Sequence, residues 1–194
     1  MRGPFGLCKV NLKPGHTVCH ETGIRLSGEC YEAMKNLSEE CISLRKMKKG
    51  GQSPWLSNTF PVPKKKPSKW RGVIDYREVN EQIQPDAYPL PRINDILERQ
   101  GRHHMWTIID LKDAFSQIPI DDESGKILAI STPSGVLHPL CMPQGYKISP
   151  AVWQRVIEWV LREVRDAAHP YIDDIIVGTA ATEGKSLCRN IIWM

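Results

Sequence analysis

Three aspartates close apolar β runs in this chain, and that placement constrains its fold more than any other feature. Met105-Trp106-Thr107-Ile108-Ile109 has the β-branched and aromatic content of a strand and runs directly into Asp110. Tyr171-Ile172 and Ile175-Ile176-Val177 bracket Asp173-Asp174, which puts paired carboxylates at the bend between two short strands. One acidic residue at a turn is ordinary surface chemistry. Several at strand ends are a different matter, because carboxylates gathered in a cleft raise one another's pKa unless a cation neutralises them. As hard oxygen donors they favour Mg²⁺ over zinc. Two such ions, about 3.5 to 4 Å apart, can clamp the attacking and leaving oxygens of a phosphoryl transfer.

Charge supplies the complementary part. The net charge is +4, yet no acidic residue lies between Glu40 and Asp75, where Arg45, Lys46, Lys48, Lys49, Lys64, Lys65, Lys66, Lys69 and Arg71 are found. The remaining 17 basic residues face 22 acidic ones, so the rest of the chain is mildly acidic. A basic segment of this kind either meets a polyanion, such as nucleic acid or nucleotide phosphate, or forms a solvated lysine face. Charge alone favours neither.

The 194 residues are 41% hydrophobic and 25% charged, which is globular composition with room for one domain or slightly more. No apolar run approaches the roughly 20 residues needed to span a bilayer, and the start has no apolar signal stretch, so an intracellular, soluble protein without a membrane partner is the expectation. Cys8, Cys19, Cys30 and Cys41 recur every eleven residues, and Cys141 and Cys188 follow. None forms the close pair of a zinc knuckle, and reduced, unlinked thiols are expected.

Residues 1–26 read as an irregular arm. From Gly28 the stripe Cys30, Ala33, Met34, Leu37, Cys41, Leu44 predicts an amphipathic helix with a lysine-rich last turn, stopped by Gly50-Gly51. Thr59–Val62 and Gly72–Tyr76 read as strands joined by the basic hairpin Lys64–Lys69. Asp86–Pro91 is a proline-punctuated loop, Ile93–Gln100 a short helix, and Ile127–Ser131 with Val136–Cys141 a hairpin. Ser149-Pro150 opens the clearest helix, serine as cap and proline at the first helical position. Its stripe Val152, Val156, Val160, Val164 with Trp153, Ile157, Leu161 faces a core, leaving Gln154, Arg155, Glu158, Arg162 and Glu163 in water.

The strings KKKPSKWRGVIDYREVN, YPLPRINDIL, IIDLKDAFSQIPI, MPQGYKISPAVWQ and YIDDIIVG, in this order, resemble the reverse transcriptase of gypsy-type LTR retrotransposons and of retroviruses. The resemblance runs from about Leu12 to Gly178 and includes SPWLSNTFPVPKK. It implies an α+β right-hand polymerase: fingers over residues 27–92 and an incomplete ferredoxin-like palm over 93–178, part of which returns to the fingers. The implied function is RNA-directed DNA polymerase, in which a primer 3′ hydroxyl attacks the α-phosphate of a deoxynucleotide and pyrophosphate leaves. The other reading is a catalytically inactive nucleic-acid-binding remnant of a retroelement.

Carried residue by residue, the resemblance makes Asp110, Asp173 and Asp174 the catalytic metal-binding triad, with the Leu111 carbonyl as a further ligand to two Mg²⁺ ions, Mn²⁺ being a possible substitute. It puts the triphosphate clamp on Arg71 with Lys65 or its neighbour Lys64, and the sugar-facing ring on Phe115. Gln144 and Gly145 would contact the incoming nucleotide and template, and Tyr171 would lie beside the primer terminus. Trp70 reads as packing and Arg77 as surface. The implied partners are an RNA or DNA template with its primer, dNTP, and the remaining polyprotein: thumb, ribonuclease H and integrase. Residues 179–194 read as a truncated tail with the thumb absent, from a truncated or frameshifted reading frame. The implied location is cytoplasmic, in assembly particles.

Overall fold

A computed structural model describes residues 6–64, 70–101, 103 and 105–179. In chain order its elements are α1 (Gly28–Ser43), β1 (Met47–Lys49), β2 (Ser57–Pro63), β3 (Trp70–Ile74), α2 (Arg77–Gln82), α3 (Ile93–Gln100), β4 (Met105–Asp110), a 3₁₀ turn (Ala114–Gln117), α4 (Asp122–Ile127), β5 (Ile130–Thr132), β6 (Gly135–Pro139), α5 (Ser149–Val160), β7 (Ala168–Tyr171) and β8 (Asp174–Thr179). They fall into two compact units, Met1–Pro85 with Phe115–Ser149, and Asp86–Ala114 with Pro150–Met194. The architecture is mixed α and β.

The first unit is built on a five-stranded sheet in the order β1-β6-β5-β2-β3. Only β2 and β5 run parallel. Tyr76, Val79, Ile83, Leu128, Ile130, Leu137, Met142 and Tyr146 form its buried centre. Burying one large apolar side chain of this kind contributes about 1.5–3 kcal/mol. The Tyr76 hydroxyl donates to the Leu128 carbonyl at 2.9 Å, which satisfies the polar tip of a fully enclosed ring, and burial pushes its pKa well up. Among the described residues the N-terminal arm carries no helix. It lies along the unit through isolated bridges, Cys8 to Ile120, Leu12 to Ile83 and His20 to Leu56.

Two sequence expectations change here. The first helix stops at Ser43, and Lys48 and Lys49 beyond it lie in β1 and pair with β6. The reason is a reversal just past the helix end. Arg45 is at φ +54°, its amide donates to the Ile42 carbonyl at 3.0 Å, and the Lys46 amide donates to the Cys41 carbonyl at 2.9 Å. That pair of bonds is a Schellman cap, in which a left-handed residue ends the helix, here an arginine in place of the usual glycine. The second change is that Ile127, expected to open a strand, closes α4, and β5 begins only at Ile130, because the Asp121 cap starts a helix in a stretch without a clear period. Asp121 starts α4 by accepting from the Ser124 amide at 2.9 Å, and that bond holds its carboxyl below the usual range.

The second unit carries a three-stranded antiparallel sheet, order β4-β8-β7. Ile96, Trp153, Ile157, Leu161, Ala168, Ile175 and Val177 are buried there. Helix α5 departs from its expected faces. Gln154 is fully buried, and the Ser149 hydroxyl donates to the Pro143 carbonyl at 3.0 Å in the preceding loop. Among the described residues five cysteines are outside any disulfide, and no helix is long and apolar enough to cross a membrane.

Candidate active site

Strand register brings the aspartates together. In the β4–β8 ladder Ile109 pairs with Ile175 and Asp110 with Asp174, so both carboxylates stand at the same end of one antiparallel pair. Directly opposed residues in such a pair lie about 4.5–5.5 Å apart at Cα. One residue later, the Leu111 amide donates to the Asp173 carbonyl at 2.8 Å, tying the exit of β4 to the turn between β7 and β8. All three aspartates are exposed. Among the described residues no three His, Cys, Asp or Glu side chains converge as a bound ion would require. The backbone still sets Asp110 and Asp174 side by side, and like charges that close are held apart until a cation joins them. Exposed carboxylates at a strand end are oxygen donors of the type that hard divalent cations take.

The turn is built around strain. Tyr171 pairs with Asp174, which leaves Ile172 and Asp173 as the connecting residues, and Ile172 lies at φ +54°. A β-branched residue in the left-handed region is an outlier that costs about 1–2 kcal/mol. It persists because neighbouring groups hold it. The Trp153 indole donates to the Ile172 carbonyl at 2.7 Å, and the Ile172 amide donates to Gln154 Oε1 at 3.0 Å. Gln154 Nε2 in turn donates to the Pro170 carbonyl at 3.0 Å and to Glu158 Oε1 at 2.8 Å. Helical periodicity missed Gln154, because a glutamine one position beyond a core tryptophan looks solvated in sequence. Burial happens only because β7 offers it backbone partners.

Tyr171 is half-buried in β7. The other anticipated site residues belong to the first unit. Gln144 and Gly145 are exposed, and Gly145 adopts φ +87°, a conformation glycine takes without strain. Asn80 holds that loop by donating to the Gly145 carbonyl at 2.9 Å and accepting from the Lys147 amide at 2.8 Å. Arg71 is exposed on β3 opposite Val62, Lys64 is exposed just past β2, and Phe115 is half-buried. Lys65 and the tail from residue 180 lie outside the described residues. A cavity of about 990 Å³ in the second unit is lined by charged groups including Glu98, Arg99 and Arg165, and by none of the three aspartates. The three carboxylates are exposed at the strand end.

Residues 62–192 match the family described as reverse transcriptase (RNA-dependent DNA polymerase). The chain belongs to the reverse transcriptase family. Its relatives in Drosophila melanogaster include the retrovirus-related Pol polyproteins of three transposons. The one from transposon 297 is 42% identical over 68% of this chain and 13% of its own length. The one from opus is 39% identical over 79% of this chain and 15% of its own length, and the one from gypsy 34% identical over 87% and 16%. The chain thus spans less than one fifth of these relatives. Reverse transcriptase domains generally depend on divalent metal.

Proposed function

We propose that this chain carries the RNA-directed DNA polymerase centre of an LTR retrotransposon polyprotein, with Asp110, Asp173 and Asp174 as its metal-binding carboxylates. The observation that carries the reading is the register pairing of Asp110 with Asp174, tied to Asp173 through the Leu111 amide. The second unit corresponds to a ferredoxin-like palm and the first to fingers. A pair of Mg²⁺ ions, or Mn²⁺ in their place, would supply charge stabilisation to the attacking and leaving oxygens when held by these aspartates and the Leu111 carbonyl.

The chain's own residues orient the reactants and neutralise charge. Lys64, Lys65 and Arg71 bind the triphosphate, and the Phe115 ring lies under the sugar, where a 2′ hydroxyl would collide with it. Gln144 and Gly145 meet the incoming nucleotide and the template base, and Tyr171 supports the primer end. An exposed strand end suits a polymer that must slide past it after each addition, which a closed cavity would prevent. The partners are template, primer and dNTP, with thumb, ribonuclease H and integrase supplied by the rest of a polyprotein, in cytoplasmic particles.

The test is deoxynucleotide incorporation on an RNA template with a DNA primer in Mg²⁺ or Mn²⁺. Slow, distributive extension is expected, and Asp110→Asn and Asp173→Asn should each abolish it. Extension that survives both substitutions ends the proposal. The reading as a non-catalytic nucleic-acid-binding remnant draws on one observation, the exposure of Met105, Trp106 and Ile108 on β4. Template–primer binding without any incorporation is the outcome that would favour it.

A further inference from the structure

In the second unit β7 is an edge strand, and the outward backbone groups flanking Tyr171, the Pro170 carbonyl and the Ile172 amide, face away from β8. A primary carboxamide carries one donor side and one acceptor side, like a peptide unit. Gln154 accepts from the Ile172 amide and donates to the Pro170 carbonyl, so it substitutes for a neighbouring strand at one position. An amide turned over would set carbonyl against carbonyl and NH₂ against N–H. Glu158 prevents that, because an ionised carboxylate accepts only and its Oε1 takes the second Nε2 hydrogen of Gln154. The other carboxylate oxygen of Glu158 accepts from the Tyr88 hydroxyl. Tyr88 lies in the proline-rich loop, where the Arg155 guanidinium sits 4.8 Å over its ring and bonds both oxygens of Asp86 at 2.9 and 2.7 Å.

We propose that Gln154 is a positioning residue for Asp173 and Asp174, with its amide orientation set by the relay Tyr88–Glu158–Gln154. The relay rests on the reading of those aspartates as metal ligands. It works because the hairpin holds a left-handed isoleucine one residue before Asp173, so a turn left unsplinted relaxes and carries the carboxylates with it. Gln154 touches neither substrate nor metal. Its contribution is to the angle at which the chain presents two ligands.

The experiment measures Mn²⁺ binding to the full chain by electron paramagnetic resonance, with nothing else present, beside melting temperature and single-nucleotide incorporation. Gln154→Leu should weaken Mn²⁺ affinity about 10-fold, a typical loss when the residues supporting metal ligands are removed. It should also lower kcat while leaving KM for dNTP nearly unchanged. Tyr88→Phe removes one hydroxyl and should weaken binding in the same direction by a smaller factor. Glu158→Gln retains an oxygen for Gln154 and a donor for the Tyr88 oxygen, so it should keep most of the affinity, whereas Glu158→Leu should match Gln154→Leu. Wild-type Mn²⁺ affinity in Gln154→Leu and Tyr88→Phe, with binding lost in Asp173→Asn, overturns the relay and spares the metal site. Binding unchanged in both aspartate variants, or absent from the unaltered chain, overturns the metal site itself. Should Gln154→Leu fail to fold, Tyr88→Phe and the Glu158 pair decide the question.

Discussion

His138 shows what a single side chain adds to the behaviour of this protein. It is buried on β6 with its Nε2 lacking a hydrogen-bond partner, packed so closely against Gly50 that any side chain there would strike the ring. Burial first, then the Lys48 and Lys126 charges, lowers its pKa below the ordinary value of 6.5, while Asp122 opposes the shift. Folding therefore favours the neutral ring. The stability this gives is complete above the unfolded value and is lost as pH falls through the folded one. Melting temperature should drop as pH falls below about 6.5, and His138→Leu should flatten part of that drop. His169 shifts the same way through burial, Arg99 and His103, so a residual slope is expected in the variant. A pH profile identical in both proteins would refute the assignment to His138. In sequence His138 was one residue of a β run, since an orphaned ring nitrogen is a property of its surroundings.

At the scale of elements, local pattern placed α3 and most strands well but missed the end of α1 and the start of β5. Apolar content located β4, the β2–β3 hairpin and β8 within a residue or two, because strands half-buried on a sheet need β-branched and aromatic side chains, whereas β7 begins at Ala168, three residues before the expected Tyr171. The end of α1 escaped, since stripe residues Cys41 and Leu44 continue the helical period through the very place where Arg45 reverses the backbone. That cap carries a prediction. Arg45→Gly relieves a non-glycine residue in the left-handed region and should raise stability by about 1 kcal/mol, read from denaturant midpoints at constant m. A loss of stability would mean that the Arg45 side chain holds the turn by its own contacts. The outward assignment of Gln154 failed for a related reason, as helical periodicity ranks residues by polarity and cannot see a strand edge waiting to be bonded.

Across the whole molecule, the excess of positive charge sits in one segment, and some cations are already paired, Lys48 inside that segment with Asp122 and Lys126 outside it with Glu123. Exposed Lys64 and Arg71 should each contribute about one unit to the slope of log affinity against log salt for dNTP binding to the protein on its template–primer, because each phosphate charge neutralised releases close to one counterion. Lys64→Ala and Arg71→Ala should flatten that slope, and Lys126→Ala should leave it nearly unchanged. Equal effects from all three would show diffuse attraction without a nucleotide-facing hairpin. The sequence by itself determined the family, the strand-end aspartates and the basic hairpin, since each is written in contiguous residues whose chemistry needs no partner to be recognised. Only the tertiary structure decided that Asp110 faces Asp174, that a strained isoleucine precedes Asp173 and that Gln154 splints the turn. Those facts depend on register and on which backbone groups an edge strand leaves open, and both arise from contacts between segments far apart in the chain.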